Sequence, residues 1–99
     1  MNSREFVFHP AAIEEAMLAA LWYRERSPVT ASRFVDEVNR VLDRILEAPT
    51  RWPRSFGGTR KVKLPCFPFM IIYRESETHI LLVAVAHGRR HPSYWHDRL

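Results

Sequence analysis

The apolar residues of this chain change their spacing once, across a loop rich in proline and glycine, and that change dictates a two-part architecture. Before the loop, Ala31, Phe34, Val35, Val38, Val41, Leu42 and Ile45 recur at intervals of three and four. That spacing gathers side chains on one face of an α-helix. After "APTRWPRSFGGT", Val62 and Leu64 alternate with Lys61 and Lys63, the period of a strand with one buried face. A helical first half followed by a strand-rich second half predicts an α+β domain in which helices cover a sheet.

The remaining elements follow from their boundaries. "REFVF", Arg4 to Phe8, is a short strand candidate. Pro10 suits the first turn of a helix, where its missing N–H removes no hydrogen bond. Glu14 and Glu15 early, with Arg24 and Arg26 late, match the helix dipole and predict a helix from Pro10 to about Arg26. Ser27 and Pro28 repeat the start signal, and Pro49 stops the second helix. Arg33/Glu37 and Asp36/Arg40 are spaced as i,i+4 pairs on its polar side. So short a connection predicts a roughly antiparallel helical hairpin. "RKVKL", "FMIIYR" (Phe69 to Arg74) and "HILLVAVAH" (His79 to His87) read as strands, the last two joined by the turn "ESET". "HILLVAVAH" is apolar on both faces, which places it centrally in the sheet. The predicted order is β-α-α-β-β-β, a mostly antiparallel sheet with both helices on one face.

A chain of 99 residues fits one domain, 1–99, and buries roughly two-thirds of its unfolded surface, enough for one core. A hydrophobic content of 46% with only three glycines argues against disorder. No apolar run approaches the roughly 20 residues of a membrane span, and "MNSREFVFHP" lacks the apolar core of a signal peptide. The expectation is a cytoplasmic protein without membrane partners. The lone Cys66 cannot form an internal bridge, in keeping with that compartment. Charge is unevenly divided. Residues 1–50 carry 6 basic and 8 acidic groups and residues 51–99 carry 9 and 3, so the halves stand at −2 and +6. An electropositive face of this kind attracts nucleic acid or an acidic protein.

The terminal stretch "AVAHGRRHPSYWHDRL" concentrates candidate groups: His87, Arg89, Arg90, His91, Tyr94 and Trp95. Adjacent arginines repel one another and lose much side-chain entropy when ordered, and no acid follows until Asp97. A partner that supplies negative charge is their most economical explanation. Lys61 and Lys63 share a strand face about 7 Å apart; they serve either recognition or the protection of an open edge. Trp95 is expected to pack on the core, as are Trp22 and Tyr23, and Cys66 is read as structural. His87 and His91 have ligand-like spacing, but no cysteine pair or acid accompanies them, so no metal site is predicted.

Taken in order, "FHPAAIEEA", "WY", the amphipathic helix ending at a proline, "RKVKL", "FPFMIIYR", "ILLVAVAH" and "RRHPSYW" resemble the RelE/ParE superfamily of bacterial toxins. These are the toxic halves of type II toxin–antitoxin pairs of the plasmid-stabilisation type. The resemblance spans almost the whole chain, and its strongest part is "FPFMIIYR" together with "AVAHGRRHPSYW". It implies a small basic toxin that arrests growth, needs no cofactor, and is silenced by an acidic, partly disordered antitoxin. Operator DNA would be bound only by the toxin–antitoxin complex. RelE-like members cut mRNA on the ribosome without a metal; ParE-like members inhibit DNA gyrase without hydrolysis. For the nuclease reading, the resemblance places catalytic roles on Lys61, Lys63, Arg89, Arg90 and Tyr94. A metal-free ribonuclease must deprotonate a 2′-hydroxyl, stabilise charge at phosphorus and protonate the leaving oxygen. For target binding it implicates Lys61, Lys63, His87, Arg89, Arg90, His91 and Tyr94. The arginine that nuclease members carry on the central strand falls at Met70, whose thioether holds no charge. That departure favours a ParE-like gyrase inhibitor. The ribosome-dependent endoribonuclease is the first alternative, and a non-toxic interaction or nucleic-acid-binding module the second.

Overall fold

A computed structural model describes residues 4–99. The chain runs β1 (Glu5–Phe8), α1 (Pro10–Arg26), α2 (Pro28–Glu47), β2 (Arg60–Lys63), β3 (Phe69–Glu75) and β4 (His79–His87), with single 3-10 turns at Phe56–Gly58 and His96–Arg98. Capping explains both helix starts. The Nδ1 of His9 accepts from the Ala11 N–H, and the Ser27 hydroxyl accepts from the Thr30 N–H, each just ahead of a proline in the first turn. Ser27 alone links the helices, since its N–H also closes α1 on the carbonyl of Tyr23.

The strands assemble in the order β1-β4-β3-β2, with β1 parallel to β4 and the other pairs antiparallel. The expected order of elements and mostly antiparallel sheet are therefore present, and β4 lies inside the sheet. Its unbroken apolar sequence has a simple cause: both faces of the sheet are covered. On one face, Phe34, Val38, Val41 and Ile45 of α2 and Ala12 and Ala19 of α1 pack against Val62, Leu64, Ile71, Tyr73, Ile80, Leu82 and Val85. On the other, Ile72, Val83, Ala84 and Ala86 are covered by Trp95 from the C-terminal segment, with Met70, Leu81 and Tyr94 around it. A bulge at Val83, which the register skips between Ile72↔Ala84 and Tyr73↔Leu82, reverses the alternation along β4. Ile80 and Leu82 face the helices before it, and Val85 does so after it.

Several local expectations need correction. Glu14 and Glu15 lie beyond the first turn of α1, which holds no acid. Glu37 is buried and accepts the Cys66 N–H at 2.7 Å. Among the described residues the ion pairs are Arg54–Glu75, Arg60–Glu75 and Arg98–Glu15, so neither anticipated pair on α2 forms one. Tyr23 packs against the rings of Phe34, Phe67 and Phe69, but Trp22 points outward under the Arg26 guanidinium at 3.5 Å. Cys66 is exposed, and the loop uses its backbone N–H.

Candidate functional site

The C-terminal segment is attached where the sheet is incomplete. β1 ends at Phe8, and the His9 N–H makes a last bond to the Leu82 carbonyl at 3.0 Å. Beyond that point the edge of β4 offers backbone groups with no strand to pair them, and such groups are costly when buried alone. Two charged side chains take them. Glu15 Oε1 accepts the Val85 N–H at 3.0 Å, and Arg98 Nη1 donates to the Val83 carbonyl at 3.1 Å. The Arg98 fork also grips both Glu15 oxygens at 3.0 and 2.9 Å, and the Tyr94 hydroxyl donates to Oε2 at 2.8 Å. One carboxylate thus joins α1, β4 and the C-terminal segment.

The electrostatics follow from that count. Burial works to raise the Glu15 carboxyl, but hydrogen bonds from Arg98, Tyr94 and Val85 outweigh it and hold the group below its ordinary value. The Tyr94 phenol is pushed up to about 12, first by burial and then by its bond to Glu15. The bond to Glu15 in turn raises Arg98.

Between β4 and Tyr94 the chain makes the exposed loop that carries the arginines. His87 Nδ1 accepts the Arg89 N–H at 3.0 Å, and His91 Nδ1 accepts the Ser93 N–H at 3.2 Å. Both histidines therefore act as local backbone acceptors. Arg89 and Arg90 are exposed. The Arg90 guanidinium lies 3.8 Å from the centre of the Tyr94 ring, and that of Arg98 lies 5.0 Å from it. The far end of the segment is anchored separately. Trp95 is 1% exposed, His96 stacks on Phe56 at 3.7 Å, and Leu99 packs over Gly57. A Cβ at Gly57, where φ is 64°, would come within 2.5 Å of Leu99 Cδ1.

Lys61 and Lys63 project on the same sheet face as this segment, opposite Ile72 and Met70 in register. Lys61 is half-buried with its Nζ 5.8 Å from the Trp95 ring, and Lys63 is exposed on the edge strand. Half-buried Met70 stands between Lys63 and Ala86. Where α1 passes the end of β4, a groove of about 450 Å³ opens between Leu18, Trp22, Tyr23, Phe69 and Val85, with Arg90 at its rim.

Sequence reasoning missed three charged residues that organise these surfaces. Glu15 falls at helical spacing between the buried Ala12 and Ala19, a position that faces the core. Arg60 shares strand parity with the buried Val62 and Leu64. It pairs with Glu75 at 2.8 Å and donates to the carbonyls of Thr50 and Trp52. Arg98 offers no comparable periodic signal.

The fold has known counterparts. The family model described as "ParE toxin of type II toxin-antitoxin system, parDE" matches residues 6–92. The chain belongs to the ParE toxin family. Among solved structures, a chain of the "Chromosomal ParDE TA system from P. aeruginosa" superposes with a TM-score of 0.75 at 14% identity. The match covers 88% of this chain and 98% of that one, a likeness of fold. No curated protein matches. As a ParE-family toxin, the protein has an antitoxin as its implied partner. Among the described residues no helix is long and apolar enough to cross a membrane.

Proposed function

We propose that this ParE-family chain arrests growth by a non-hydrolytic action on DNA gyrase and that an acidic cognate antitoxin silences it. The observation that carries this reading is the Tyr94 hydroxyl. A proton-transfer group works best with its pKa near the operating pH; this phenol is committed to Glu15 at 2.8 Å and raised to about 12, which disfavours that role. Met70, where an arginine would stabilise phosphate charge, adds a second departure from a metal-free nuclease. Lys61 and Lys63 do share a face, which keeps the endoribonuclease as the alternative. Exposed Arg89 then acts in recognition, with Arg90, Lys63 and the neighbouring histidines around it.

The antitoxin reading draws on the exposed apolar side chains of α1, Ile13, Met17, Leu18 and Leu21, together with the +6 half of the chain. An acidic segment with apolar anchors suits both. Purified protein is expected to inhibit gyrase supercoiling and to leave ribosome-bound mRNA intact, and co-expression of the antitoxin is expected to restore growth. Codon-positioned cuts in translated mRNA with undisturbed gyrase would reverse the assignment to the nuclease.

A further inference from the structure

Glu15 does not touch the exposed Arg89–Arg90 loop by a hydrogen bond, yet three parts of the chain converge on it. Four donors, the Val85 N–H, the Tyr94 hydroxyl and the two Arg98 Nη groups, saturate its two oxygens at 2.8 to 3.0 Å. Tyr94 relays that constraint outward, because its ring carries the Arg90 guanidinium at 3.8 Å. The other ties of the loop are mostly local: Arg89 N–H to His87 Nδ1 and Arg90 N–H to the His87 carbonyl, both at 3.0 Å, Ser93 N–H to His91 Nδ1 at 3.2 Å and Tyr94 N–H to the His91 carbonyl at 3.1 Å, with Gly88 N–H to the Pro68 carbonyl at 2.8 Å as the one that leaves the loop.

We infer that Glu15 is a positioning residue for target recognition: its carboxylate fixes the Tyr94 ring on which Arg90 rests, and so sets how the Arg89–Arg90 pair is offered to the target. The inference rests on the reading of these arginines as the recognition groups. A purely structural role for the carboxylate explains less. The segment has a second and separate anchor in buried Trp95, against Phe56, and in Leu99 over Gly57, so losing Glu15 leaves it attached while freeing the Tyr94 and Arg98 side chains. Glutamine at position 15 keeps the shape, but its amide presents two donors to a site already filled with donors. The relay is then broken while the core stays in place.

The test compares wild type with Glu15→Gln, Arg98→Met, the double variant, and Val41→Ala, a cavity in α2 away from the segment. Inhibition of growth and of gyrase supercoiling is scored per folded molecule. Glu15→Gln is expected to lose about tenfold in potency, the effect of one strong recognition contact. Adding Arg98→Met should cost little more, since both act through one node. Val41→Ala should keep wild-type potency per folded molecule. If Glu15→Gln falls only with its folded fraction, as a merely destabilised variant would, the inference is overturned. Should Glu15→Gln not fold, Arg98→Lys keeps the charge without the fork, and wild-type potency there overturns it equally. A wild-type chain that neither arrests growth nor inhibits gyrase would refute the toxin reading instead. Amide exchange then still decides the positioning: Arg90 and Tyr94 N–H groups should lose protection in Glu15→Gln while Val62 does not, and unchanged protection there defeats it.

Discussion

A phenol that donates to a carboxylate and titrates near 12 stays neutral throughout the physiological range, so Tyr94 contributes a ring and a fixed hydroxyl in place of a mobile proton. The same shift is a stability statement. Its folded value lies above the ordinary 10, so its stabilisation is complete below about pH 10 and disappears as pH rises through the folded value. Glu15 has the opposite sign. Its folded value is depressed, so its contribution is present above about pH 4.3 and lost as pH falls through the folded value. The stability advantage of wild type over Glu15→Gln should accordingly narrow in acid unfolding below about pH 4.3. Phenolate absorbance gives a direct reading. Tyr73 and Tyr94 both stand at about 12 and Tyr23 is also raised by burial, so each tyrosine should have its midpoint above 10, and Tyr94→Phe should remove one of the steps near 12. At the tip of the loop, Arg89→Ala with Arg90→Ala should abolish growth arrest and lower stability by only about 1 kcal/mol, the value of an exposed cation over a ring. Trp95→Ala, at 1% exposure, should cost about 3 to 5 kcal/mol in chemical denaturation.

Among the elements, β2 is held by more than its ladder. Arg60 lies on the helix-facing side with its side chain 8% exposed and ties the strand to Glu75 and to the carbonyls of Thr50 and Trp52. Tyr73 adds a bond to the Pro49 carbonyl at 2.6 Å. Together they pin the loop after α2 against the sheet. Arg60→Met should therefore destabilise by about 3 kcal/mol, because Glu75 would keep only its 3.9 Å contact with exposed Arg54 and the Thr50 and Trp52 carbonyls would lose their donor; urea unfolding measures the loss. The elements themselves were legible in the chain. α2 announced its buried face by spacing, α1 announced its start by a proline and α2 by a capping serine and a proline, and β4 announced its interior place by being apolar throughout. What stayed hidden has a common physical origin. Arg60 and Glu15 occupy core-facing positions with charged side chains, and charge is ordinarily read as surface unless its helical or strand parity is followed. The second core, under Trp95, was hidden because the segment that supplies it has no regular period. For Arg89 and Arg90 only the exposure was legible: no nearby acid in the sequence accounts for them, and the structure leaves both exposed.

Across the whole molecule, the two halves divide the work. The helical half contributes an outward apolar stripe on α1, and the basic half contributes the sheet face with Lys61, Lys63 and the terminal loop. An acidic segment that spans both would neutralise charge and cover apolar surface together, and the charge part of its affinity should weaken as salt rises. Isothermal titration with the antitoxin across a salt series should show that weakening while the negative heat-capacity change of apolar burial persists. The topology also bears on when such a molecule becomes dangerous. β1 pairs only with β4, so Glu5–Phe8 waits for His79–Leu82 to be synthesised before it has a neighbour, a long-range closure that is slow to form. The exposed Arg89 and Arg90 and the side chains around them, Tyr94, Trp95 and Arg98, come later still. A nascent chain that has just completed β4 at His87 has both helices and every strand but lacks the completed loop. If growth arrest depends on that loop, synthesis acts as a timer, and the protein stays harmless until the ribosome has passed Arg98.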